Sequence, residues 1–232
     1  MAGPRHSPPV HASAAHGGPL KGARKAGGAL ASLLDRLTVV SGGELGGWCW
    51  DVDGAAPGPA DAKEFAAALE AANPQDDAEL IGWTGFVLGR QPDGGYARLR
   101  ISAGGTDEYT PFTATLNLFS GPGVQAPPLD GRLDVVLAVL VDVWDADCGL
   151  VYNRELFEAV KSAYGLSAAD PRVGWAVHVS ANRAARVPER AVFRARHGDV
   201  AVAVLIRPEA EAIGSLPAEG LVPVDGRHSV SS

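Results

Sequence analysis

The sequence predicts an α+β domain in which a mainly antiparallel sheet packs against a long apolar helix and shorter helices. Two segments, "YARLRISAG" and "PFTATLNLF", alternate apolar and polar residues with period two. A third, "DGRLDVVLAVLVDVW", is apolar at helical spacing around most of its circumference. Helical and strand patterns also come in blocks, which argues against an alternating parallel fold.

Residues 1–27 are rich in Pro, Gly, Ala, Ser and His and hold no continuous apolar run. They read as a disordered basic tail, or as sequence upstream of a mis-called start codon, and not as a secretory signal. An ordered domain is expected over residues 28–208 and a weakly ordered segment over 209–232. "ALASLLDRLTVV" places apolar residues at 30, 33, 34 and 37, one face of a helix. "GGELGGWCWDVDG" is either a short strand or a packed loop. "PADAKEFAAALEAANP" predicts a second helix with Asp61 as N-cap, Phe65, Ala68, Leu69 and Ala72 as its stripe, and Asn73-Pro74 as its stop.

Residues 75–95 are ambiguous: a short helix from Asp76, then turn chemistry at Pro92-Asp93-Gly94-Gly95. In the two alternating strands, Ala97, Leu99, Ile101 and Ala103 share one face, as do Phe112, Ala114, Leu116 and Leu118. The apolar helix buries Leu133, Val136, Leu137, Leu140, Val141 and Trp144, leaving Asp134, Ala138, Asp142 and Asp145 as a narrow polar stripe. After it come a short strand "GLVYN", a helix "RELFEAVKSAYG" and a strand "VGWAVHVS" with Val173, Trp175, Val177 and Val179 on one side. That parity puts His178 on the opposite, partly exposed face. A hairpin turning at His197-Gly198-Asp199 follows.

Lys and Arg total 20 against 27 Asp and Glu, a net charge of −7. The first acid is Asp35; removing the four cations of the first 25 residues leaves the rest with 16 cations against 27 acids. Such a body is unsuited to nucleic acid, which demands clustered cations, and suited to a basic partner. No apolar stretch is long enough for a membrane span, and cytoplasmic residence follows by default. Cys49 and Cys148 are too few for a disulfide scaffold or a four-ligand zinc site and are expected to be reduced.

The chemical candidates are few. Asp142, Asp145 and Asp147 surround Trp144 at the end of the apolar helix; three such oxygens can meet a hard cation, yet calcium-loop and H-E-x-x-H spacings are absent. No G-x-S-x-G elbow, dinucleotide fingerprint or phosphate-loop lysine occurs. The acids therefore read as a structured turn, with no catalytic residue, metal or cofactor expected.

The ordered succession "LRISAGG", "ATLNLF", "LVDVWDAD", "VGWAVHVS" and "HGDVAVAVLI" resembles the immunity protein 52 family of bacterial polymorphic toxin systems over about residues 28–207. Trp144, Asp145 and Asp147 match that family's W-D-P-D-like turn, with Ala146 where proline is usual. Gly174 and Trp175 match its G-W strand, with His178 where an aromatic is common, and the basic tail stands in place of the family's first strand. The resemblance implies a non-enzymatic cytoplasmic protein that binds and neutralises a cognate toxin, typically a nuclease with a restriction-endonuclease-like domain. Candidate toxin contacts are Asp142, at the end of the apolar helix, and six acids of predicted loops: Asp51, Asp53, Asp76, Asp77, Asp107 and Glu108. The alternative is a divalent-metal-dependent hydrolase built on Asp142, Asp145 and Asp147.

Overall fold

The computed structural model describes residues 10–16, 23–50, 62–74, 76–92, 94–103, 112–123, 129, 131–164, 174–180, 193–197 and 200–204. The chain runs through β1 (Val10–His16), α1 (Ala23–Val40), β2 (Gly46–Trp50), α2 (Ala62–Ala72), α3 (Ala78–Ile81), β3 (Trp83–Arg90), β4 (Tyr96–Ala103) and β5 (Phe112–Phe119). It continues through α4 (Leu133–Trp144), β6 (Cys148–Asn153), α5 (Arg154–Tyr164), β7 (Ala176–Val179), β8 (Phe193–His197) and β9 (Val200–Val204). The nine strands form one sheet in the order β2-β3-β4-β5-β1-β6-β7-β9-β8, with every pairing antiparallel. The α+β class with a mainly antiparallel sheet is therefore the observed one.

The basic tail is not a tail where it is described. Residues 10–16 are β1, paired along one edge with β5 and along the other with β6. Its Val10, Ala12 and Ala14 are fully buried. The small residues of "VHASAAH" give little apolar signal, yet both edges of the strand are hydrogen-bonded, and that pairing holds it. Likewise α1 begins at Ala23, ahead of the expected boundary at 28.

One face of the sheet is the core. β4 and β5 turn Ala97, Leu99, Ile101, Ala103, Phe112, Ala114, Leu116 and Leu118 inward, as the alternation predicts. α4 packs over β1, β6, β7 and β9, with α1 alongside it and α2 beside α1. The sheet under α4 is paved with small side chains (Ala12, Ala14, Gly149, Ala176), so the large residues of α4 sink close to it. α4 is buried at Leu133, at every position from Val136 to Val141, and at Trp144. Ala138 is therefore core, not part of the polar stripe, and α4 at 12 residues is shorter than the 18-residue α1. The apolar helix is present, but it is not the long one.

β3 is the element the sequence hid. "WTGFVLGR" contains two glycines that read as breakers, and both are there for close approach. A Cβ on Gly85 would lie 2.6 Å from Leu69 and 3.2 Å from Phe65, the inward residues of α2; one on Gly89 would lie 2.6 Å from the Trp48 ring. Asn73 fastens the same junction: its amide donates to Leu69 O at 2.8 Å and Thr84 O at 3.1 Å, and Thr84 N–H donates back to its Oδ1.

β7 corrects a second expectation. Its register with β6, Val151 opposite Ala176 and Gly149 opposite His178, turns Ala176 and His178 toward the core. His178 is buried, and Val177 and Val179 are the half-covered residues. Valine parity favoured the other face; ladder register decided.

Deleting residues 1–16 is expected to abolish the cooperative thermal transition followed by circular dichroism, whereas a dispensable tail would leave it unchanged. Gly85→Val should destabilise by about 1–3 kcal/mol in urea titration, because overpacking pushes α2 off the sheet.

Candidate functional site

The turn "WDAD" and the pair "GW" lie at opposite ends of the β6–β7 ladder. Trp144 ends α4 with its side chain only 1% exposed and its indole Nε1 without a hydrogen-bond partner. Asp145 then adopts the left-handed conformation (φ 47°, ψ 50°), which Asp tolerates better than branched or bulky residues. Its N–H and that of Ala146 both donate to Val141 O, the latter at 3.0 Å. A proline at 146 would have no N–H to give, so this hydrogen bond needs a residue such as Ala146. Asp147 O then accepts Ser180 N–H at 2.8 Å, extending the ladder into β6.

Gly174 is dictated by contact. A Cβ there would collide with Val151 O and Leu150 Cδ1, and the next residue, Trp175, donates its N–H to Val151 O at 2.7 Å. Trp144, Asp145, Asp147, Gly174 and Trp175 therefore build the reversal from α4 into β6 and the crossing into β7. What they give the molecule locally is shape.

Asp142 stands apart from Asp145 and Asp147. It lies on the outer side of α4 and takes an ion pair from Arg36 Nη1 of α1. Farther along the same antiparallel helix pair, Arg132 donates to Ser41 O and, at 2.8 Å, to Glu44 Oε1. These two arginines hold α1 against α4 at its polar margins. Among the described residues, no group of three or more His, Cys, Asp or Glu side chains gathers as a metal site. Neither Cys49 nor Cys148 is in a disulfide.

Strand register sets the strand ends nearest the remaining candidates in sequence at one end of the sheet. Trp50 pairs with Val87, Trp83 with Ala103, Ser102 with Thr113, His16 with Phe112 and Ala15 with Cys148. The end of β2, the start of β3, the end of β4 and the start of β6 therefore share one end. The chain leaves β2 directly into Asp51 and Asp53, and leaves β4 toward Asp107 and Glu108. Those four residues lie outside the described ones. Asp76 and Asp77 lead through α3 into β3, and both are exposed; Asp145, also exposed, and Asp147 precede β6. No Lys, Arg or His occurs in 51–61, 73–82 or 104–111, although β1 also ends on this side at His16, ahead of Lys21, Arg24 and Lys25 in the chain. From β2 to β6 there are five strand steps, about 24 Å at the usual interstrand spacing.

Two residues that charge reasoning passed over sit in that acidic border. Leu80 is 53% exposed and Ile81 38% exposed, both on α3 immediately after Asp76 and Asp77. Adjacent aliphatics held open to solvent on a one-turn helix are a poor use of apolar area in a monomer. Their signal in the sequence was the single-turn length of the helix: too short to bury a stripe, it leaves its second half outside.

No protein-family model matches the chain, and no curated protein matches it. Among solved structures, a Pseudomonas aeruginosa T6SS protein is similar at 13% identity, over 85% of this chain and 69% of that one, with a TM-score of 0.45. A likeness so remote carries no functional inference. Among the described residues, no helix is long and apolar enough to cross a membrane.

Asp142→Ala is expected to change stability by less than about 1 kcal/mol, because its ion pair is solvent-exposed. Gly174→Ala is expected to cost about 2 kcal/mol or more, because a backbone carbonyl blocks the new methyl. Urea denaturation of the two variants against the parent checks the contrast.

Proposed function

We propose that the chain is an immunity protein that binds and neutralises a cognate polymorphic toxin, a nuclease with a restriction-endonuclease-like domain, in the cytoplasm. It acts by occupying the toxin and transforms no substrate, so it needs no cofactor. One observation carries the reading: the exposed acids Asp76, Asp77 and Asp145 lie at one end of the sheet, where Leu80 and Ile81 are also exposed. A nuclease binds phosphates through a basic surface, and an acidic end of this breadth is complementary to it. Long-range attraction speeds encounter, and desolvated aliphatic anchors govern the lifetime of the complex.

The likeness to the immunity protein 52 family agrees with this use. The α4 C-terminus opens onto the same end, and its helix dipole adds negative potential there. The rival hydrolase centre on Asp142, Asp145 and Asp147 has no observation in its favour, since the Asp142 carboxylate is engaged by Arg36.

The direct test is co-expression with the toxin encoded beside this chain. Survival of the cells and a recovered stoichiometric complex are expected; continued killing with no complex defeats the proposal. Within such a complex, the double change Asp76→Lys and Asp77→Lys should slow association by about tenfold or more. Leu80→Ala should mainly raise the dissociation rate, by about 1–2 kcal/mol of lost binding. Affinity should fall between about 50 and 500 mM salt as screening shortens; a flat response in surface-plasmon measurements would argue against electrostatic recognition.

A further inference from the structure

The face of the sheet turned away from α1, α2 and α4 has the opposite chemistry to the acidic end. Register places Thr84, Phe86, Leu88 and Arg90 of β3, Tyr96, Arg98, Arg100 and Ser102 of β4, and Thr113, Thr115, Asn117 and Phe119 of β5 on it. His11 of β1 and Tyr152 of β6 continue the row from Arg98 and Asn117. Among the described residues of these strands, this face has three arginines and no carboxylate. In a chain of net charge −7, that segregation is strong.

The cations are held, not loose. Arg98 lies with its guanidinium carbon 4.1 Å from the Phe86 ring centroid, and that of Arg100 is 5.9 Å from the same ring. Arg98 Nε is buried and has no hydrogen-bond acceptor in the protein. That nitrogen is closed to solvent, so a partner's carboxylate would be met by the exposed Arg100 and by the exposed part of Arg98. Arg98 and Arg100 are successive same-face residues, about 7 Å apart along the strand, the spacing of alternate side chains in an extended segment. Beside them, His11 Nδ1 donates to Asn117 Oδ1 and the His11 ring lies 5.2 Å from Tyr152, fixing the adjoining row.

We propose that the open face of β3, β4 and β5 is a second docking surface, separate from the acidic end, and that it takes an acidic protein segment through Arg98 and Arg100. Rings favour that occupant over single-stranded nucleic acid. Phe86 is already covered by Arg98, and Tyr96 has one ring face stacked on Phe119 at 4.4 Å, which reduces the ring area left for bases.

The test is independent of any toxin. The full chain, labelled with ¹⁵N, is titrated with poly-L-glutamate of about 20 residues in about 50 mM NaCl, a salt concentration low enough to preserve surface attraction. The amides of Phe86, Arg98, Arg100 and Asn117 are expected to shift. Affinity should fall at least about tenfold in the double variant Arg98→Gln, Arg100→Gln, through loss of two charge-assisted contacts, and remain unchanged in Arg36→Gln on the helical side. Arg100→Glu, at an exposed position, keeps the test open should the double variant not fold. Absence of any response, shifts confined to other surfaces, or tighter binding of an oligothymidylate of similar length would overturn the proposal.

Discussion

The architecture depends on β1 lying between β5 and β6. Among the described residues, β2-β3-β4-β5 and β6-β7-β9-β8 share no ladder without it, since β1 pairs with both groups. Its cross-strand partners extend from Val10 to His16 toward β5 and from Val10 to Ala15 toward β6, so nearly every residue bridges the halves. A strand buried between two neighbours needs no large side chains to be retained. Its backbone groups have nowhere better to bond, and leaving them unpaired in the interior is expensive.

The smallness of β1 sets the next layer. Ala12 and Ala14 sit beneath α4, and so do Gly149 and Ala176 on the neighbouring strands. α4 brings the bulk instead, with Leu and Val around most of its surface and Trp144 at its end. Pairing large helix residues with small sheet residues lets the two backbones approach and fills the space without strain. The same trade appears at the other side of the sheet, where Gly85 and Gly89 receive Leu69, Phe65 and Trp48. These are two local solutions to one geometric demand, a helix layer pressed close on a sheet.

Periodicity was readable where one face was wet and the other dry. β4 and β5 alternate without interruption, α4 has a wide apolar arc, and each emerged where the pattern placed it. β1 and β3 were not legible because their sequences carry small residues at the very positions where neighbours come closest. His178 was misplaced for a different reason: strand parity fixes two faces but not which is inner, and only the pairing with β6 decides that. The motif residues were found by resemblance, but their work as a turn and a crossing follows from Asp145 at φ 47° and from the carbonyl above Gly174. Asp76 and Asp77 were recognisable as connection residues. That they share a sheet end with Asp145 was not, since it arises from the register of strands far apart in the chain.

The sheet also explains how one chain keeps two surfaces of opposite sign. A strand has ends and faces, and these point in perpendicular directions. Carboxylates placed in connections collect at an end, whereas arginines placed at alternating strand positions collect on a face. Asp76 and Asp77 accordingly belong to a connection, and Arg98 and Arg100 to a strand face. Cross-sheet order fixes the arginines: moving one by a single residue along β4 would send it into the core against α2 and the β3 glycines. The hydrophobic layer that closes the fold thus also enforces the charge pattern, because every strand position it claims is denied to an ionised side chain.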